Sequence, residues 1–343
     1  MLFPKLSMKY LFELSKDHKN LPRAEVFSCL KAEKIEYNII ESNNDIVLIE
    51  TNANLKKIKV ISDRLSSVFF INKFLFSSPP ILKEIKKNAL ENSINFKGSI
   101  AIKYRNRSNH IKSKNIVESL ADIYSKNREV SLERPDIEIR AIITDSLLYV
   151  GIKKFKINRS QFEDRKVQFR PFFSPISLHP KLARTLVNLS LIKKGDVLLD
   201  PFCGTGGILL EAGLMEVGVI GTDIENKMIE GCRKTLNHYN VNNYELYNLD
   251  IGDITKNLDV VDAVVTDFPY GKSTTTKGED LKQLYNRAFR SISKVLKKNG
   301  ILVVGLSDSK TISIGEKYFK LIDIFEFKAH KSLTRFFVKY QKL

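Results

Sequence analysis

Residues 197–223 read VLLDPFCGTGGILLEAGLMEVGVIGTD, and this stretch decides the fold class. Two apolar runs, residues 197–200 and 217–223, have the length and the branched side chains of buried strands, and each ends on an aspartate. Between them, a turn with three glycines leads into an apolar stretch at residues 208–216 that is long enough for a helix. Strand, tight turn, helix and strand in this order predict a βαβ unit and therefore a parallel sheet.

The alternation of strands and helices continues on both sides of this unit. The pattern predicts a helix at residues 181–191 before it. The elements predicted after it are a helix at 226–239, strands at 245–249 and 260–267, a helix at 281–296 and a strand at 300–306. Because the crossovers are short, we expect an α/β fold in which helices cover both faces of a parallel sheet.

Acidic residues close three successive predicted strands, at Asp200, Asp223 and Asp250. The carboxyl ends of parallel strands meet at one edge of a sheet, where α/β proteins bind their cofactors. The glycine turn has neither the GxGxxG spacing nor a P-loop lysine. A carboxylate at its start would repel a pyrophosphate but suits the amino-acid part of S-adenosylmethionine, so we predict S-adenosyl-L-methionine as the cofactor.

The predicted roles within this site follow the order of the strands. Asp223 would bind the ribose hydroxyls, as carboxylates do at the second strand end of dinucleotide folds. Asp250 and the backbone amide of Ile251 would read the adenine edge, with Asp253 as the alternative to Asp250. Cys203 is interpreted as a small buried apolar side chain. The candidate cofactor-binding residues are Asp200, Pro201, Cys203, Gly204, Gly206, Gly207, Asp223, Ile224, Asp250, Ile251 and Asp267.

The fourth strand ends in the candidate catalytic residues Asp267, Phe268, Pro269 and Tyr270. The lone pair of an exocyclic base amine is delocalised into the ring, so its methylation needs acceptors that orient the nitrogen and a flat surface that holds the base. Asp267 supplies a carboxylate, the carbonyl of Phe268 a second acceptor, and Tyr270 a stacking surface. The alternative for Asp267 is a carboxylate that only caps the next turn.

Two flanking segments carry weaker signals. Residues 272–278 (KSTTTKG) either close over the substrate or form a solvated loop. His179 and Pro180 either border the methionine end of the cofactor or simply start the helix that follows.

Three stretches make the chain recognisable: DPFCGTGGILLEAGLMEVGVIGTDI (200–224), DFPYGKSTTTKGEDLKQLY (267–285) and HKSLTRFF (330–337). From about residue 99 onward the chain resembles the archaeal tRNA guanine-10 N2-methyltransferases. The resemblance implies a Rossmann-like class I methyltransferase domain with a mostly parallel seven-stranded sheet, preceded by an α+β ferredoxin-like unit and a THUMP RNA-binding domain. The implied ranges are 1–55 for the ferredoxin-like unit, 56–153 for THUMP, 154–177 for a linker and 178–343 for the methyltransferase domain.

The resemblance also implies a reaction, the transfer of methyl from S-adenosylmethionine to the exocyclic amine of guanosine 10 in tRNA. The expected products are N2-methylguanosine and N2,N2-dimethylguanosine, and THUMP would grip the acceptor end of the tRNA. The alternatives are N2-methylation of another tRNA or ribosomal RNA guanine, and amino-methylation of adenine in DNA or of glutamine in protein. A cofactor-free RNA-binding scaffold is a further alternative.

One residue departs from the family pattern, because Phe268 stands where Asp-Pro-Pro-Tyr has its first proline. The catalytic acceptor at this position is the backbone carbonyl, and Pro269 holds Phe268 to extended geometry, so we expect activity to be retained. Eukaryotic relatives work with a small zinc-binding activator subunit, which makes such a subunit a candidate partner here. The sequence leaves the oligomeric state open, and a monomer is compatible with it.

Charge and composition limit the classes of partner, metal site and cellular location that the chain is expected to have. The 343 residues include 56 Lys and Arg against 39 Asp and Glu, and the net charge of +17 favours a nucleic-acid partner over a merely solvated surface. Cys29, Cys203 and Cys232 lack metal-ligand spacing, so no metal site is expected and a reducing, cytoplasmic setting fits. No apolar run approaches the roughly 18 residues of a membrane span, and the first residues lack a signal layout.

The N-terminal half has a mixed pattern of elements. The predicted helices lie at 23–33, 80–91 and 116–126, the predicted strands at 45–50, 99–104, 137–143 and 147–152, and residues 60–68 are helix-like. A basic loop that includes His110 and is interleaved with Tyr104 and Asn106 indicates RNA contact, with a solvated face as the alternative. The candidate RNA-binding residues are Lys103, Arg105, Arg107, Lys112 and Lys114, together with Arg170 and Arg335 elsewhere.

Overall fold

The computed structural model describes residues 7–173, 177–270, 279–330 and 333–343. The chain forms two compact units, and the second takes two short segments from the N-terminal region. The first unit comprises the described part of Met1–Arg23, with Ile35–Asp63 and Ser67–Ile157. The second comprises Ala24–Lys34, Arg64–Ser66 and the described part of Asn158–Leu343. No helix in the described ranges combines the length and the apolar content that crossing a membrane requires.

Seven strands of the first unit form one sheet, in the order β2-β3-β1-β4-β7-β6-β5. These strands are β1 (Met8–Leu14), β2 (Tyr37–Ser42), β3 (Ile46–Thr51), β4 (Val68–Ser78), β5 (Ile100–Asn106), β6 (Ile137–Ile143) and β7 (Leu148–Lys156). The helices of this part of the chain are α1 (Leu21–Ala32), most of which belongs to the second unit, α2 (Leu55–Arg64), α3 (Leu82–Glu91) and α4 (Lys114–Tyr124). Only β5 and β6 pair in parallel.

The predicted helix-like stretch at residues 60–68 is wrong at its C-terminal end. Helix α2 ends at Arg64, and Val68 begins β4, an eleven-residue strand that pairs with both β1 and β7. The aromatic and β-branched residues of VFFINKFLFSS favour an extended chain. One sheet therefore runs across the predicted boundary between residues 55 and 56, and the division into a ferredoxin-like unit and a THUMP domain stays a prediction.

Seven strands of the second unit form the other sheet, in the order β10-β9-β8-β11-β12-β14-β13. They are β8 (Val197–Asp200), β9 (Gly218–Asp223), β10 (Tyr244–Asn248), β11 (Val261–Asp267), β12 (Leu296–Leu306), β13 (Lys320–His330) and β14 (Leu333–Gln341). Its main helices after residue 158 are α5 (Pro180–Leu189), α6 (Gly207–Gly213), α7 (Asn226–His238), α8 (Ile254–Asn257), α9 (Leu281–Val295) and α10 (Ile312–Glu316). Neighbours among β8 to β12 pair in parallel, which confirms the α/β prediction, and β14 is antiparallel to both β12 and β13.

The order of these strands fixes where a site can form. From β8 the chain proceeds through β9 and β10 on one side and then returns to β11 and β12 on the other. The crossovers on the two sides of β8 and β11 diverge, which opens a crevice outside the carboxyl ends of these strands. The buried stripe of α9, including Tyr285 and Phe289, packs against the sheet and holds β11 and β12 in place.

A buried polar network joins the short N-terminal segments to the rest of the second unit. The Oε1 atom of Glu25 accepts hydrogen bonds from the Ser66 hydroxyl at 2.7 Å and from Asn188 Nδ2 at 2.8 Å. The Ser66 hydroxyl also lies 2.8 Å from that of Thr185. Because these side chains are buried and mutually satisfied, the segments 24–34 and 64–66 are part of the core of this unit.

Candidate active site

The carboxyl ends of β8, β9 and β11 open onto a cavity of about 350 Å³. It is lined by three groups of residues that are far apart in sequence. The first group is Ser177, Leu178, Asp200, Pro201, Phe202, Cys203, Gly204, Thr205, Gly207 and Ile208; the second is Asp223, Ile224, Glu225, Met228, Leu249, Asp250 and Ile251; the third is Asp267, Phe268, Pro269, Tyr270, Glu279, Leu284 and Arg287. Of the sequence-predicted cofactor and catalytic residues, only Gly206 is outside this lining.

The glycine turn between β8 and α6 is shaped by close packing beneath it. Gly206 has a φ of +80°, a conformation that L side chains rarely adopt. A Cβ atom at this position would also lie 2.5 Å from the Sγ atom of Cys232 on α7. A hydrogen bond with Cys232 and burial raise the pKa of the Cys203 thiol, which agrees with its interpretation as an apolar filler.

Two acids at the ends of β8 and β9 lie beside this turn. Asp200 is 1% exposed, its Oδ1 atom accepts from the Phe202 amide at 3.2 Å, and burial raises its pKa to about 7. Asp223 Oδ2 accepts from the Gly204 amide at 3.0 Å and Oδ1 from the Glu225 amide at 2.9 Å. Burial raises the pKa of Asp223 as well. A cationic ligand at this end of the cavity would favour the ionised forms of both carboxyl groups.

Asp250 is held by an arginine that the sequence analysis did not identify. Its Oδ2 atom lies 3.2 Å from Arg287 Nη2, and Arg287 also donates to Glu279 Oε2 at 2.7 Å. The Oδ1 atom of Asp250 accepts from the Gly252 amide at 2.8 Å. Asp253, the alternative to Asp250, is outside the cavity lining and pairs with Lys256 at 3.0 Å.

The candidate catalytic acid at the end of β11 has two side-chain hydrogen-bond partners in the described part of the chain. Asp267 Oδ1 accepts a hydrogen bond from the Tyr270 hydroxyl, and Oδ2 lies 3.2 Å from Arg335 Nη1. The guanidinium carbon of Arg335 is 4.9 Å from the centre of the Tyr270 ring. Burial raises the pKa of Asp267, whereas the charge of Arg335 and the Tyr270 hydroxyl oppose that rise. Acid, phenol and guanidinium therefore form one closed cluster at the mouth of the cavity.

Phe268 is anchored by both its ring and its backbone. The ring is buried in the core, with its centroid 5.0 Å from that of Tyr285 and 5.2 Å from those of Phe202 and Phe289. Its amide donates to the Gly305 carbonyl on β12 at 3.1 Å. A proline could not make that bond, so this chain gains a main-chain link that the family's usual tetrapeptide lacks.

Phe268→Pro is therefore expected to destabilise the protein, although it restores the family pattern. Loss of the buried ring costs about 3–5 kcal/mol, and the unpaired Gly305 carbonyl adds about 1 kcal/mol. The free energy of unfolding in urea measures this change. Phe268→Leu, which keeps the amide, should cost less. Equal stability of the proline variant and the wild type would show that the ring and the amide contribute nothing.

All four of the predicted RNA-binding arginines have internal partners; that of Arg335 is Asp267. The Nε atom of Arg105 bonds with buried Glu13, and its guanidinium lies 4.0 Å from the centre of the Phe69 ring. The side chain of Arg107 is 11% exposed and donates to the Leu14 carbonyl at 2.7 Å. These contacts give both arginines a structural role within the first unit, which the basic loop alone could not reveal.

Arg170 is also buried, contrary to its selection as an RNA contact. Its side chain is 5% exposed, and Nε donates to the Arg165 carbonyl at 3.0 Å. Burial lowers the pKa of its guanidinium. It packs beneath Gly207 of the glycine turn, so it is not available to a phosphate in this structure.

The other basic candidates are on the surface of the first unit. Lys112 and Lys114 are exposed, as is His110, and Lys103 is half-buried. Tyr104 is also exposed.

Residues 272–278, predicted either to close over the substrate or to form a solvated loop, lie outside the described residues. His179 caps helix α5 through a hydrogen bond from the Lys181 amide to its Nδ1 atom at 3.2 Å. In the described ranges no three His, Cys, Asp or Glu side chains are grouped to hold a metal ion.

Comparison with known proteins bears on this site. Residues 168–331 match a family model described as an RMKL-like methyltransferase domain. A protein of Methanothermobacter thermautotrophicus named tRNA (guanine(10)-N2)-dimethyltransferase is 33% identical to this chain over 96% of its length and 98% of the relative. The chain belongs to the tRNA (guanine(10)-N2)-dimethyltransferase family. A second family member, from Pyrococcus abyssi, is 38% identical over 63% of this chain and 65% of its own length.

Two further matches concern the fold and an alternative function. The crystal structure of TrmN from Thermus thermophilus aligns with 98% of this chain and all of its own, with a TM-score of 0.58 and 17% identity, which shows a shared fold. A model described as DNA methylase matches residues 47–234. That span ends before residues 267–270, so it does not include the candidate catalytic tetrapeptide.

Proposed function

We propose that this protein methylates the exocyclic N2 amine of guanosine 10 in tRNA, with S-adenosyl-L-methionine as the methyl donor, and continues to N2,N2-dimethylguanosine. The observation that carries the proposal is the Asp267 carboxylate, held between Tyr270 and Arg335 at the mouth of an acid-lined cavity. The full-length family relationship supplies the position of the nucleotide. A cytoplasmic location, where tRNA is modified, follows from the same proposal.

The cavity suits S-adenosylmethionine by the chemistry of its lining. Asp200 and Asp223 are carboxyl groups whose ionisation burial disfavours, so a ligand with an ammonium and a sulfonium charge would stabilise their charged forms. When bound, S-adenosylmethionine supplies an electrophilic methyl group on a positively charged sulfur. Asp200 would hold its ammonium and Asp223 its ribose, while Asp250, fixed by Arg287, and the amide of Ile251 would read the adenine.

The residues at the end of β11 are placed to orient the target amine. Asp267 would accept a hydrogen bond from N2 and the carbonyl of Phe268 a second one, which directs the nitrogen lone pair. The guanine must leave its helix to reach them, at a cost of a few kcal/mol. Arg335 covers one face of the Tyr270 ring, so we expect the base to stack on the other. After transfer the amine loses a proton, and Asp267, whose pKa burial raises, would take it.

The proposal is tested by incubating the purified protein with unmodified tRNA and radiolabelled cofactor, and then mapping the modified nucleoside. Label confined to nucleotide 10, and absent from a tRNA with adenosine at that position, would support it. Label at another guanine would favour the alternative of a different RNA position. Methylation of adenine in DNA and not of tRNA would overturn the proposal. Activity of the chain alone, or only after addition of a zinc-binding partner subunit, would decide whether an activator is needed.

We also propose that the first unit, as a THUMP-type domain, binds the tRNA, with Lys103, Lys112 and Lys114 contacting phosphates. Replacing Lys112 and Lys114 together with glutamine is expected to weaken tRNA binding, because two phosphate contacts are lost. The slope of log K against log salt concentration should decrease by about 1.5–2. The affinity for S-adenosylmethionine should not change.

The matched control for this prediction replaces Lys86 and Lys87 with glutamine. Both are exposed on α3, so the control makes the same change in charge on the same unit. Binding isotherms for tRNA at several salt concentrations distinguish the two variants. If both pairs of substitutions weaken binding equally, the effect is one of total charge and these lysines have no specific role.

A further inference from the structure

Arg335 contacts Asp267 and the Tyr270 ring, and the proposed function gives it no contact with the substrate or the cofactor. It lies on β14, 68 residues after Asp267 in sequence, and β12 runs between the two strands. In register, Asp267 is opposite Gly305 on β12, and Gly305 is opposite Phe337 on β14. Arg335 precedes Phe337 by two residues, so it is on the same face of the sheet as the Asp267 side chain.

Gly305 makes the contact between the two strands possible. Strands two places apart in a sheet are separated by roughly 9–10 Å, and the side chain on the middle strand normally fills the space between them. A Cβ atom at Gly305 would lie 3.1 Å from the Asp267 carboxyl carbon and 3.2 Å from Phe337 Cε1, besides colliding with Asp267 Oδ1. The missing side chain therefore leaves the passage through which Asp267 reaches Arg335.

The pair is nearly removed from water. The side chains of Asp267 and Arg335 are 16% and 14% exposed, so each charge depends on the other for much of its stabilisation. Among the described residues, the groups that face Asp267 from the surrounding elements are Tyr270 after β11, Tyr285 from α9 and Asp200 from β8, besides Arg335. Arg335 is the cation in that set. Without it, burial and Asp200 would favour the protonated acid, which no longer accepts as strongly from an amine.

The hydrogen bonding of Arg335 differs from that of a purely structural arginine in the same unit. Arg165 makes two bonds with buried Glu211, at 2.9 and 3.1 Å. Arg335 makes one bond with Asp267, lies over Tyr270, and leaves its buried Nε atom without a partner among the described residues. Arg107 and Arg184 also have a buried Nε atom without a hydrogen-bond partner among the described residues, so the feature that distinguishes Arg335 is its place beside Asp267 and Tyr270.

We propose that Arg335 is a positioning residue of the methyl-transfer site, which keeps Asp267 as a carboxylate and fixes its orientation beside Tyr270. The inference rests on the proposed function in one respect, that Asp267 acts on the target amine. Arg335 itself acts through Asp267 and the Tyr270 ring. Gly305 is required as well, because its missing side chain leaves the space in which Asp267 and Arg335 meet.

The test compares Arg335→Gln, Arg335→Lys and Gly305→Ala with Lys320→Gln as the control. Lys320 is an exposed cation at the opposite end of the same hairpin. Single-turnover methylation of tRNA is measured between pH 5.5 and 9. For Arg335→Gln we expect a loss of rate on the order of a hundredfold at neutral pH, which diminishes as the pH rises because Asp267 then ionises without its cation. Arg335→Lys should recover much of the rate, and the affinity for S-adenosylmethionine should remain within about twofold.

A readout independent of turnover is an NMR titration that follows the carboxyl carbon of Asp267. Its signal is assigned by its absence in Asp267→Asn. We expect its midpoint to move to higher pH in Arg335→Gln and in Gly305→Ala, which retains both charges but blocks their path. Unchanged midpoints, or an equal loss of rate at every pH for the glutamine and lysine variants, would overturn the proposal. If the glutamine variant does not fold, the lysine and alanine variants decide it. A wild-type protein inactive on tRNA would contradict the proposed function, while the NMR titration would still test Arg335.

Discussion

Asp267→Asn is expected to reduce the rate of methyl transfer by a factor on the order of 10²–10³ while S-adenosylmethionine still binds. Asparagine has the shape of aspartate but only one acceptor oxygen, so it can accept from Arg335 or from the Tyr270 hydroxyl and not from both as Asp267 does. That neutral oxygen is also a weaker acceptor for the amine and a poor acceptor for its proton. The loss expected is that of one preorganised electrostatic group. Rapid-quench measurement of the chemical step, with cofactor affinity from calorimetry, checks both parts.

Asp267→Ala should abolish detectable methylation, but it has a second effect. It leaves Arg335 buried without its anion, which costs about 3–5 kcal/mol of stability, so its activity must be compared at a temperature where the fold is intact. Asp259→Asn, an exposed carboxylate just before β11, is the control. Unchanged turnover in Asp267→Asn would refute the catalytic role of this acid and favour that of a turn cap.

Asp200→Asn is expected to make the protein more stable near and above neutral pH while weakening S-adenosylmethionine binding at least tenfold. Burial raises the pKa of Asp200 to about 7 in the folded protein, against about 4 in the unfolded chain. Because folding raises the pKa of Asp200, the contribution of this carboxyl group to the free energy of unfolding is fully present below pH 4 and is lost as the pH rises through 7. The difference between these limits is about 4 kcal/mol, and the neutral amide removes that loss.

Urea unfolding at pH 5 and pH 8 measures this effect. The free energy of unfolding gained by Asp200→Asn should be larger at pH 8 than at pH 5. Saturating S-adenosylmethionine should reduce the advantage of the variant over the wild type, because the cofactor stabilises the wild type, which binds it more tightly. Asp259→Asn serves again as the control. A gain that is the same at both pH values would show that the ionisation of Asp200 is not its source. Unchanged cofactor affinity would remove Asp200 from the binding site.

The parts of the fold that could be predicted from sequence are those with local signals. Strands β8, β9 and β11 and the second half of β12 are largely apolar runs separated by helices. The acidic ends of β8, β9 and β11 line one cavity because parallel strands bring their carboxyl ends together. The hairpin of β13 and β14 was not predicted, because its alternating charged and apolar residues give no sign of which strand it joins. The choice of Asp250 over Asp253 depended on proximity to the strand end, and the lining of the cavity agrees with it.

The parts that could not be predicted depend on partners distant in sequence. Arg287 holds Asp250 across 37 residues, and Arg105 meets Glu13 across 92. A run of basic residues looks the same whether its charges face solvent or a buried acid. Arg335 was selected only as a possible RNA contact, since nothing near it in sequence shows that Gly305 leaves it a path to Asp267.

The participation of residues 24–34 in the second unit has a consequence for synthesis of the protein. Ser28 leaves the ribosome 311 residues before Lys339, whose Nζ atom lies 3.4 Å from the Ser28 hydroxyl. The nascent chain must therefore keep α1 available while some three hundred residues are added. The second unit can complete its folding only after Lys339 has emerged, and a fragment that begins at residue 158 would be missing a piece of its own interior.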